Sequence, residues 1–241
     1  MIFIENDSTD AAFHFSVEEF FTRYYRSDSQ VFMLWQTEKT VMLGNNQVPD
    51  SEIDIDFALE NGIRIVRRSS GGGAIFTDMG TLLYTVIEPL NKETAAHREE
   101  TAAKIIESLR KMGVPAVREG RNDILIDGRK ISGFAQYTSG THVCTHGSLL
   151  FDADLESLSK VLIPDEKKLR PKGISSIRSR VTNIKPYLDQ KCSVMEFISR
   201  LKKELLHGND VITYTLSTDD LTQVDRINNE KYSNKEWNLR R

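Results

Sequence analysis

The chain has 241 residues, of which 39% are hydrophobic and 28% are charged, and its formal net charge is -3. This is the composition of an ordinary globular protein, and nothing in the charge indicates binding to nucleic acid. No apolar run is long enough to span a membrane, and the N-terminal sequence lacks the basic and apolar regions of a signal peptide. The two cysteines, Cys144 and Cys192, are too few for a disulfide framework and favour a reducing cytoplasm.

Helix and strand patterns alternate along the chain. A first helix is predicted over 13–24, behind the capping candidates Ser8, Thr9 and Asp10. Further helices are predicted at about 51–61, 92–112, 155–162, 194–207 and 218–229, and strands at 31–35, 40–43, 63–66, 81–87, 124–132 as a hairpin, and 143–151. Several strands follow one another directly, which favours an α+β class with a mixed or antiparallel β-sheet flanked by helices.

A glycine-rich turn lies between two of the predicted strands, in the sequence Arg67-Arg68-Ser69-Ser70-Gly71-Gly72-Gly73-Ala74-Ile75-Phe76. Consecutive glycines let the backbone bend sharply and let a ligand approach without interference from Cβ atoms. Exposed amide groups of such a turn can face an anion, and arginine adds fork-shaped donors for carboxylate or phosphate. A glycine-rich hairpin with a solvated arginine pair explains the turn in isolation equally well. The turn is neither a P-loop nor a dinucleotide fingerprint.

A second candidate segment is a hairpin with a lysine beside its turn. Asn122 and Asp123 begin its first strand, Asp127-Gly128 is a strong turn signal, and Lys130 starts the second strand. Small residues after Lys130 keep that strand narrow, which suits close approach of a ligand. An ammonium group there can bridge a carboxylate and a phosphate because it has three donors. Taken alone, Lys130 is better interpreted as a surface lysine.

Together these segments resemble the catalytic domain of the lipoate–protein ligase A family. The order and spacing of the matching pieces fit from near residue 1 to about Trp237. The pieces are Gly44-Asn45-Asn46-Gln47, 67–76 with Asp78 and Gly80, 121–123, 127–135, His146-Gly147 with 149–151, Lys172-Gly173-Ile174 and 176–183. The resemblance implies the mixed-sheet catalytic-domain fold shared by biotin and lipoate ligases. It also implies an ATP-dependent enzyme that activates lipoate as lipoyl-adenylate and transfers the lipoyl group to a lysine of an acceptor protein.

The resemblance also implies roles for individual residues. Lys130 would be the catalytic residue, in contact with both the lipoyl carbonyl and the α-phosphate. Arg68 would hold phosphate, and Asp123 with Asn122 would hold the adenylate and Mg²⁺. The residues implied to bind ATP or lipoyl-adenylate are Arg68, Ser70, Gly71, Gly72, Gly73, Ala74, Ile75, Phe76, Asn122, Asp123, Lys130 and Ala135. Because lipoate and ATP are both anions, these cationic groups would offset their repulsion, and no nucleophile of the enzyme is required.

Three alternatives remain open at this point. An octanoyl- or lipoyl-transferase of the same fold would use a cysteine, and one branch has that cysteine where this chain has Lys172. Cys144, close to His146, is the remaining candidate, although a small buried apolar role is favoured for it. A lipoate-binding module without catalysis and a biotin ligase are less favoured. His146 is interpreted as a packing or hydrogen-bonding residue, and the histidines show no metal-ligand spacing.

Domain organisation and partners follow from the same resemblance. Residues 1–241 are expected to form a single catalytic domain, with the small C-terminal accessory domain of many family members absent or truncated and a separate accessory protein possible. The acceptors implied are lipoyl domains of 2-oxoacid dehydrogenases or the glycine-cleavage carrier protein. The long basic connection at 164–183 is expected to close over the adenylate.

Overall fold

Eleven strands form two sheets in the computed structural model, which describes residues 1–25, 27–164 and 177–241, with only the backbone at 177 and 178. The strands are β1 (Ile2–Ile4), β2 (Val31–Trp35), β3 (Thr40–Leu43), β4 (Arg64–Arg67), β5 (Ile75–Thr77), β6 (Thr81–Pro89), β7 (Val117–Glu119), β8 (Asp123–Ile126), β9 (Arg129–Ser139), β10 (His142–Leu150) and β11 (Ile212–Tyr214). The larger sheet has the order β11-β1-β2-β6-β10-β9-β8-β7, and the smaller has the order β4-β3-β5. Pairing is parallel in β11-β1-β2 and antiparallel across the rest of the larger sheet.

Helices cover both faces of the larger sheet. They are α1 (Ala11–Arg23), α2 (Pro49–Glu52), α3 (Ile55–Glu60), α4 (Thr94–Lys111), α5 (Leu155–Val161), α6 (Ile177–Arg180), α7 (Val194–Leu206), α8 (Thr218–Ile227) and α9 (Lys235–Leu239), with a 3-10 turn at Lys185–Tyr187 and a π turn at Asn228–Tyr232. One apolar core lies under α4 and α7, where the rings of Phe151 and Phe197 stack at 4.5 Å. A second core lies under α1 and α8. This arrangement confirms the predicted α+β class with a mixed sheet flanked by helices.

Local sequence signals explain the two elements that matter most for the site. Helix α1 starts where the Asp10 carboxylate accepts the amide hydrogen of Ala12 at 2.8 Å, which satisfies one of the free donors of a helix N-terminus. The hairpin between β8 and β9 turns at Asp127 (φ 49°) and Gly128 (φ 73°), the positive angles required by the favoured two-residue turn. Both predictions are confirmed, and the turn places Lys130 next to β8.

The glycine turn does not join two paired strands, so it is not the glycine-rich hairpin that the sequence allowed. Strands β4 and β5 do not pair with each other, because both pair with β3, β4 in parallel and β5 antiparallel. The turn over 68–74 therefore crosses the end of β3 instead of folding back on one partner. This arrangement carries its backbone past β3 toward the larger sheet.

Other differences concern short elements. The single helix predicted at 51–61 is two helices, because the chain is extended at Ile53, which is buried and bridges to Leu162, and Asp54 then caps the second helix. Strands β1, β5, β7 and β11 and helices α6 and α9 were not predicted. Of the predicted connection at 164–183, residues 165–176 lie outside the described part of the chain. No helix in the described ranges is long and apolar enough to cross a membrane.

Candidate active site

A cavity of about 480 Å³ lies between the larger sheet and the glycine turn. This volume is within the range of small-molecule sites. One part of its wall is apolar and buried, and it includes Phe15, Trp35, Met42 and Leu83. The other part carries charge and is lined by Arg68, Asn122, Asp123, Lys130 and Arg180. The cavity is therefore suited to an amphipathic ligand with an anionic end.

The charged part is organised around Asp123. Its Oδ1 lies 2.7 Å from Nζ of Lys130, and its Oδ2 lies 3.2 Å from Nη2 of Arg180. About a quarter of each of these three side chains is exposed, so their charges face the open cavity. Burial lowers the pKa of Lys130, while the Asp123 carboxylate opposes that shift. The cluster of Lys130, Asp123 and Arg180 holds two cations and one anion, so the cluster itself carries net positive charge.

A side chain at Gly133 would displace the end of the Lys130 side chain. A Cβ atom at Gly133 would lie 2.6 Å from Nζ of Lys130, a distance that real Cβ contacts do not show. The glycine therefore lets the ammonium group lie against the strand. Close approach of a ligand to this strand stays a prediction.

The buried side chain of Arg68 holds the glycine turn through hydrogen bonds to its backbone carbonyls. Its Nη2 donates to the carbonyl oxygens of Gly71 at 2.9 Å and Gly73 at 2.7 Å, and its Nη1 donates to Met42 at 2.9 Å. Its Nε donates to Ser70 Oγ at 3.0 Å, so four of the five guanidinium hydrogens are used within the protein. Burial lowers the pKa of Arg68 to about 10, which leaves it charged at neutral pH. In this conformation Arg68 fixes the shape of the turn, and its implied contact with phosphate stays a prediction.

Ser70 belongs to a second network, which sequence reasoning missed. Its Oγ lies 2.6 Å from Nε2 of His146, and Nδ1 of His146 lies 2.8 Å from an oxygen of the Glu18 carboxylate. All three side chains are buried. A carboxylate can only accept, so a neutral imidazole here carries its hydrogen on Nδ1 and accepts the Ser70 hydroxyl at Nε2. The glycine turn is thereby tied to helix α1 through His146.

The same network reaches the apolar wall of the cavity. The Thr85 hydroxyl donates to Oε1 of Glu18 at 2.6 Å, and the indole N–H of Trp35 donates to Thr85 Oγ1 at 3.1 Å. Each donor in this buried chain has an acceptor, so the network is satisfied and specifies one arrangement. No single sequence motif signals it, because its members come from five separate segments.

The predicted binding residues are almost all brought together. The cavity wall includes Arg68, Gly72, Gly73, Ala74, Ile75, Phe76, Asn122, Asp123, Lys130 and Ala135. Ser70 lies behind the wall, on His146, and Gly71 is not part of the wall. Among the residues the structure describes, none donates to Oδ1 of Asn122, which is buried. Asn122 precedes Asp123 in the sequence, and its amide oxygen is an oxygen donor of the type that Mg²⁺ prefers.

Cys144 lies on the same face of β10 as His146 and is completely buried. Burial raises its pKa well above the ordinary value, and the nearby Glu18 raises it further, so the thiolate needed by a nucleophile is strongly disfavoured. Cys144, His146 and Glu18 place ligand atoms within 4.8 Å of one another, which sequence spacing did not reveal. These groups already bond to one another or to neighbours, and their donor set does not suit Mg²⁺.

Comparison with known proteins identifies the fold as that of lipoate protein ligases. The solved structure of a bi-partite lipoate protein ligase from Thermoplasma acidophilum superposes with a TM-score of 0.86 at 27% identity, over 98% of this chain and 95% of that one. A lipoate-protein ligase A solved with ATP bound has the same fold, with a TM-score of 0.85 at 24% identity over 98% of this chain and 97% of that one. The catalytic-domain fold predicted from the resemblance is therefore confirmed by its similarity to lipoate ligase structures.

The particular family follows from sequence comparison. Residues 10–206 match the family described as lipoyl protein ligase A/B catalytic domain. The chain is 35% identical over 245 aligned residues to lipoate-protein ligase LplJ of Bacillus subtilis (strain 168), covering 100% of this chain and 74% of that protein. The chain belongs to the lipoyl protein ligase A/B catalytic domain family, and the resemblance seen in the sequence is confirmed.

Proposed function

We propose that this chain is an ATP-dependent, AMP-forming lipoate–protein ligase, which makes lipoyl-adenylate and transfers the lipoyl group to a lysine of an acceptor protein. The observation that carries the proposal is the cavity, in which a buried apolar wall meets the Lys130–Asp123–Arg180 cluster and the glycine turn. Family membership supports the reaction class. The proposal therefore combines a family assignment with a site whose two parts match the two parts of lipoate.

Lipoate has an apolar chain and ring at one end and a carboxylate at the other. Its apolar end would lie against Trp35, Leu83 and Phe15, which are buried in the cavity wall. Its carboxylate would then lie near Lys130, where the ammonium offers three hydrogen-bond donors. This orientation places the carboxylate beside the glycine turn, where the nucleotide is proposed to bind.

In the activation step, a carboxylate oxygen of lipoate attacks the α-phosphorus of ATP. A new P–O bond forms, the bond to the β-phosphate oxygen breaks, and pyrophosphate leaves with both electrons of that bond. The barrier includes repulsion between two anions, which Lys130 and Arg180 offset by their charge. Amide groups of Gly72 and Gly73 add donors in a turn where no side chain blocks the approach of a phosphate.

Asn122 and Asp123 are the residues proposed to help hold a magnesium ion. Mg²⁺ commonly uses one or two carboxylates together with phosphate oxygens of the substrate. The Asp123 carboxylate lines the cavity, and Asn122, whose amide oxygen has no hydrogen-bond partner among the described residues, precedes it in sequence. The chemistry a bound ion supplies is charge neutralisation on the phosphates. Asp123 is also paired with Lys130 and Arg180, so ligand binding would redistribute these contacts.

In the transfer step, the neutral amine of an acceptor lysine attacks the lipoyl carbonyl. The C–N bond forms, the bond to the phosphate oxygen breaks, AMP leaves, and the amine loses a proton. Lys130 is proposed to contact both the carbonyl oxygen and the phosphate, where negative charge develops. We propose lipoyl domains as the acceptors, since the Thermoplasma acidophilum ligase was described together with its E2 lipoyl domain. The glycine-cleavage carrier protein is proposed as a further acceptor.

The test is incubation of the full chain with ATP, lipoate and a lipoyl-domain acceptor, read by intact mass of the acceptor. The expected result is one lipoyl group per acceptor, dependent on ATP and accompanied by AMP. A parallel reaction replaces ATP and lipoate with synthetic lipoyl-adenylate, which separates transfer from activation. Acyl transfer from an acyl carrier protein without ATP, together with no transfer from lipoyl-adenylate, would overturn the proposal.

A further inference from the structure

Residues 67–70 alternate in what they bind, as side chains of an extended segment do. Arg68 and Ser70 contact the glycine turn and His146. Arg67 and Ser69 face the opposite way and contact residues 231–240, which we call the C-terminal clamp. The segment before the glycine turn is therefore held from two sides.

Arg67 joins the clamp to the loop at 44–47. Its side chain is completely buried, with Nε donating to the carbonyl of Trp237 at 3.0 Å and Nη2 to that of Arg240 at 2.8 Å. Its Nη1 donates to the carbonyls of Gly44 at 2.9 Å and Gln47 at 2.7 Å. These acceptors are all neutral, and burial lowers the pKa of Arg67. A buried charge is costly unless it is hydrogen-bonded, so the buried position of Arg67 depends on the carbonyls of both the clamp and the loop.

The main chain of Arg67 is held by the clamp as well. Its amide donates to Oδ1 of Asn238 at 2.8 Å, and its carbonyl accepts the indole N–H of Trp237 at 2.9 Å. Asn238 also donates to the carbonyl of Tyr232 at 2.8 Å, which fixes its amide orientation. Arg67 pairs with Leu43 of β3 on one edge of β4, and on the other edge the clamp supplies the hydrogen-bond partners of its main chain.

Ser69 makes the next link. Its hydroxyl lies 2.7 Å from the hydroxyl of Tyr232 and accepts from Nζ of Lys231 at 2.8 Å. Both of these clamp residues also bind the Glu19 carboxylate on helix α1, the tyrosine hydroxyl at 2.7 Å and the lysine at 2.5 Å. The clamp is therefore anchored to α1 while it holds Ser69.

The loop at 44–47 passes this restraint to the glycine turn. The amide of Asn45 donates to the carbonyl of Ser70 at 2.8 Å. A Cβ atom at Gly44 would lie 2.2 Å from the carbonyl oxygen of Gly72, so the two backbones are in direct contact. A shift of the clamp would move Arg67, then the loop, then the turn.

We propose that the C-terminal clamp is a positioning element of the nucleotide part of the active site, and that Arg67 is its positioning residue. The inference rests on the proposed function, because it takes the glycine turn to receive the nucleotide. The inference makes different predictions for binding of the nucleotide portion and for binding of lipoate. Affinity for the nucleotide portion depends on the clamp, whereas affinity for lipoate depends on the apolar wall around Trp35 and Leu83, to which Trp237 and Asn238 do not belong.

The experiment measures two dissociation constants by calorimetry on the full chain, one for lipoate and one for a non-hydrolysable lipoyl-adenylate analogue. Asn238→Ala removes the acceptor of the Arg67 amide and leaves that buried donor unpaired. The Kd of the analogue is expected to rise about tenfold, as for loss of one buried hydrogen-bond partner. The Kd of lipoate is expected to stay at the wild-type value. Trp237→Phe keeps the aromatic ring but removes its N–H, and a smaller rise in the same direction is expected.

The matched control is Val224→Ala, which shortens a fully buried side chain of α8 outside the clamp. Its Tm should fall while both dissociation constants stay unchanged, as for stability loss alone. If Asn238→Ala does not fold, Trp237→Phe decides the question. Unchanged affinity for the analogue in the clamp variants, or equal weakening of both ligands, overturns the inference. A wild-type chain that binds neither ligand overturns the proposed function instead.

Discussion

The polar groups around the cavity fall into two regions that differ in how fully their hydrogen bonds are made within the protein. In the network of Glu18, His146 and Ser70, every donor has a buried acceptor. In the cluster of Lys130 and Asp123, the side chains are partly exposed and ion pairs are the main contacts. A saturated buried network can hold shape but has little capacity left for a ligand, whereas the exposed cluster can exchange its partners. Chemistry is therefore expected at the cluster and positioning at the network.

The largest effect is expected from Lys130. Lys130→Ala removes the ammonium group from the cavity, and Lys130→Arg replaces this compact point charge with a larger planar group that does not reproduce its position. Both variants should lose about 10²–10³ in the rate of transfer from synthetic lipoyl-adenylate, the typical loss for one charge-stabilising donor. Circular dichroism and Tm should show a retained fold. A transfer rate in Lys130→Ala equal to that of the wild type would show that this lysine is a surface residue.

The next effect concerns the saturated network. Glu18→Gln has the same shape but removes the negative charge and one of the two oxygens that accept from His146 and Thr85. The free energy of unfolding is expected to fall by about 1.5–3 kcal/mol, as for hydrogen bonds to a charged group. Urea denaturation measures it, with Glu5→Gln at the surface as the control. If Glu18→Gln loses more in transfer rate than Lys130→Ala while its stability is unchanged, the division between the two regions is wrong.

A third comparison lies within the glycine turn. Gly72 has φ of 97°, and a Cβ atom there would lie 3.0 Å from Nη2 of Arg68, whereas a Cβ at Gly71 would meet nothing within 4 Å. Gly72→Ala should raise the Kd of the adenylate analogue by roughly tenfold, since a left-handed conformation costs a non-glycine residue about 1–2 kcal/mol. Gly71→Ala should raise it less. Equal effects of the two substitutions would mean that the shape of the turn does not determine binding.

The smallest effect is expected from Cys144→Ala. The thiol is buried and its pKa is raised, so it contributes packing and not nucleophilicity. Transfer activity should stay close to wild type, with a modest loss in Tm from the missing sulfur. A folded Cys144→Ala variant without activity, together with a thioester trapped on the wild-type chain, would replace the ligase mechanism with that of a transferase.

Much of the fold could be predicted from the sequence because the long elements carry clear patterns. Helix α4 and strands β6 and β10 were found from periodicity, and the β8–β9 hairpin was found from Asp127-Gly128. The elements that were missed, β1, β5, β7, β11, α6 and α9, have three to five residues each. Such short segments hold too few positions for a period to be visible, and their structure depends on partners far along the chain.

The parts of the site that are local sequence motifs could be predicted, and the parts that depend on contacts between distant segments could not. The glycine turn and Lys130 are local motifs, so sequence reasoning placed them, and the structure brings most of their members to one cavity. The roles of His146, Glu18 and Arg67 come from contacts between distant segments. One of the two interpretations of the glycine turn made Arg67 part of a solvated arginine pair, yet it is completely buried. One sequence without an alignment offers no signal for such pairings.

The contacts of Arg67 also have a consequence for synthesis of the chain on the ribosome. Arg67 and Trp237 are 170 residues apart, and strand β11 and helices α8 and α9 are also made late. At roughly 5–20 residues per second, synthesis of the 170 residues from Arg67 to Trp237 takes on the order of 10–30 s. Until then the guanidinium group of Arg67 lacks its acceptors in the clamp. During that interval most strands of both sheets can already pair, but the arginine lacks the carbonyls that compensate its burial. The nucleotide part of the active site thus matures only after its clamp has been synthesised, and nascent chains should bind lipoate before they bind nucleotide.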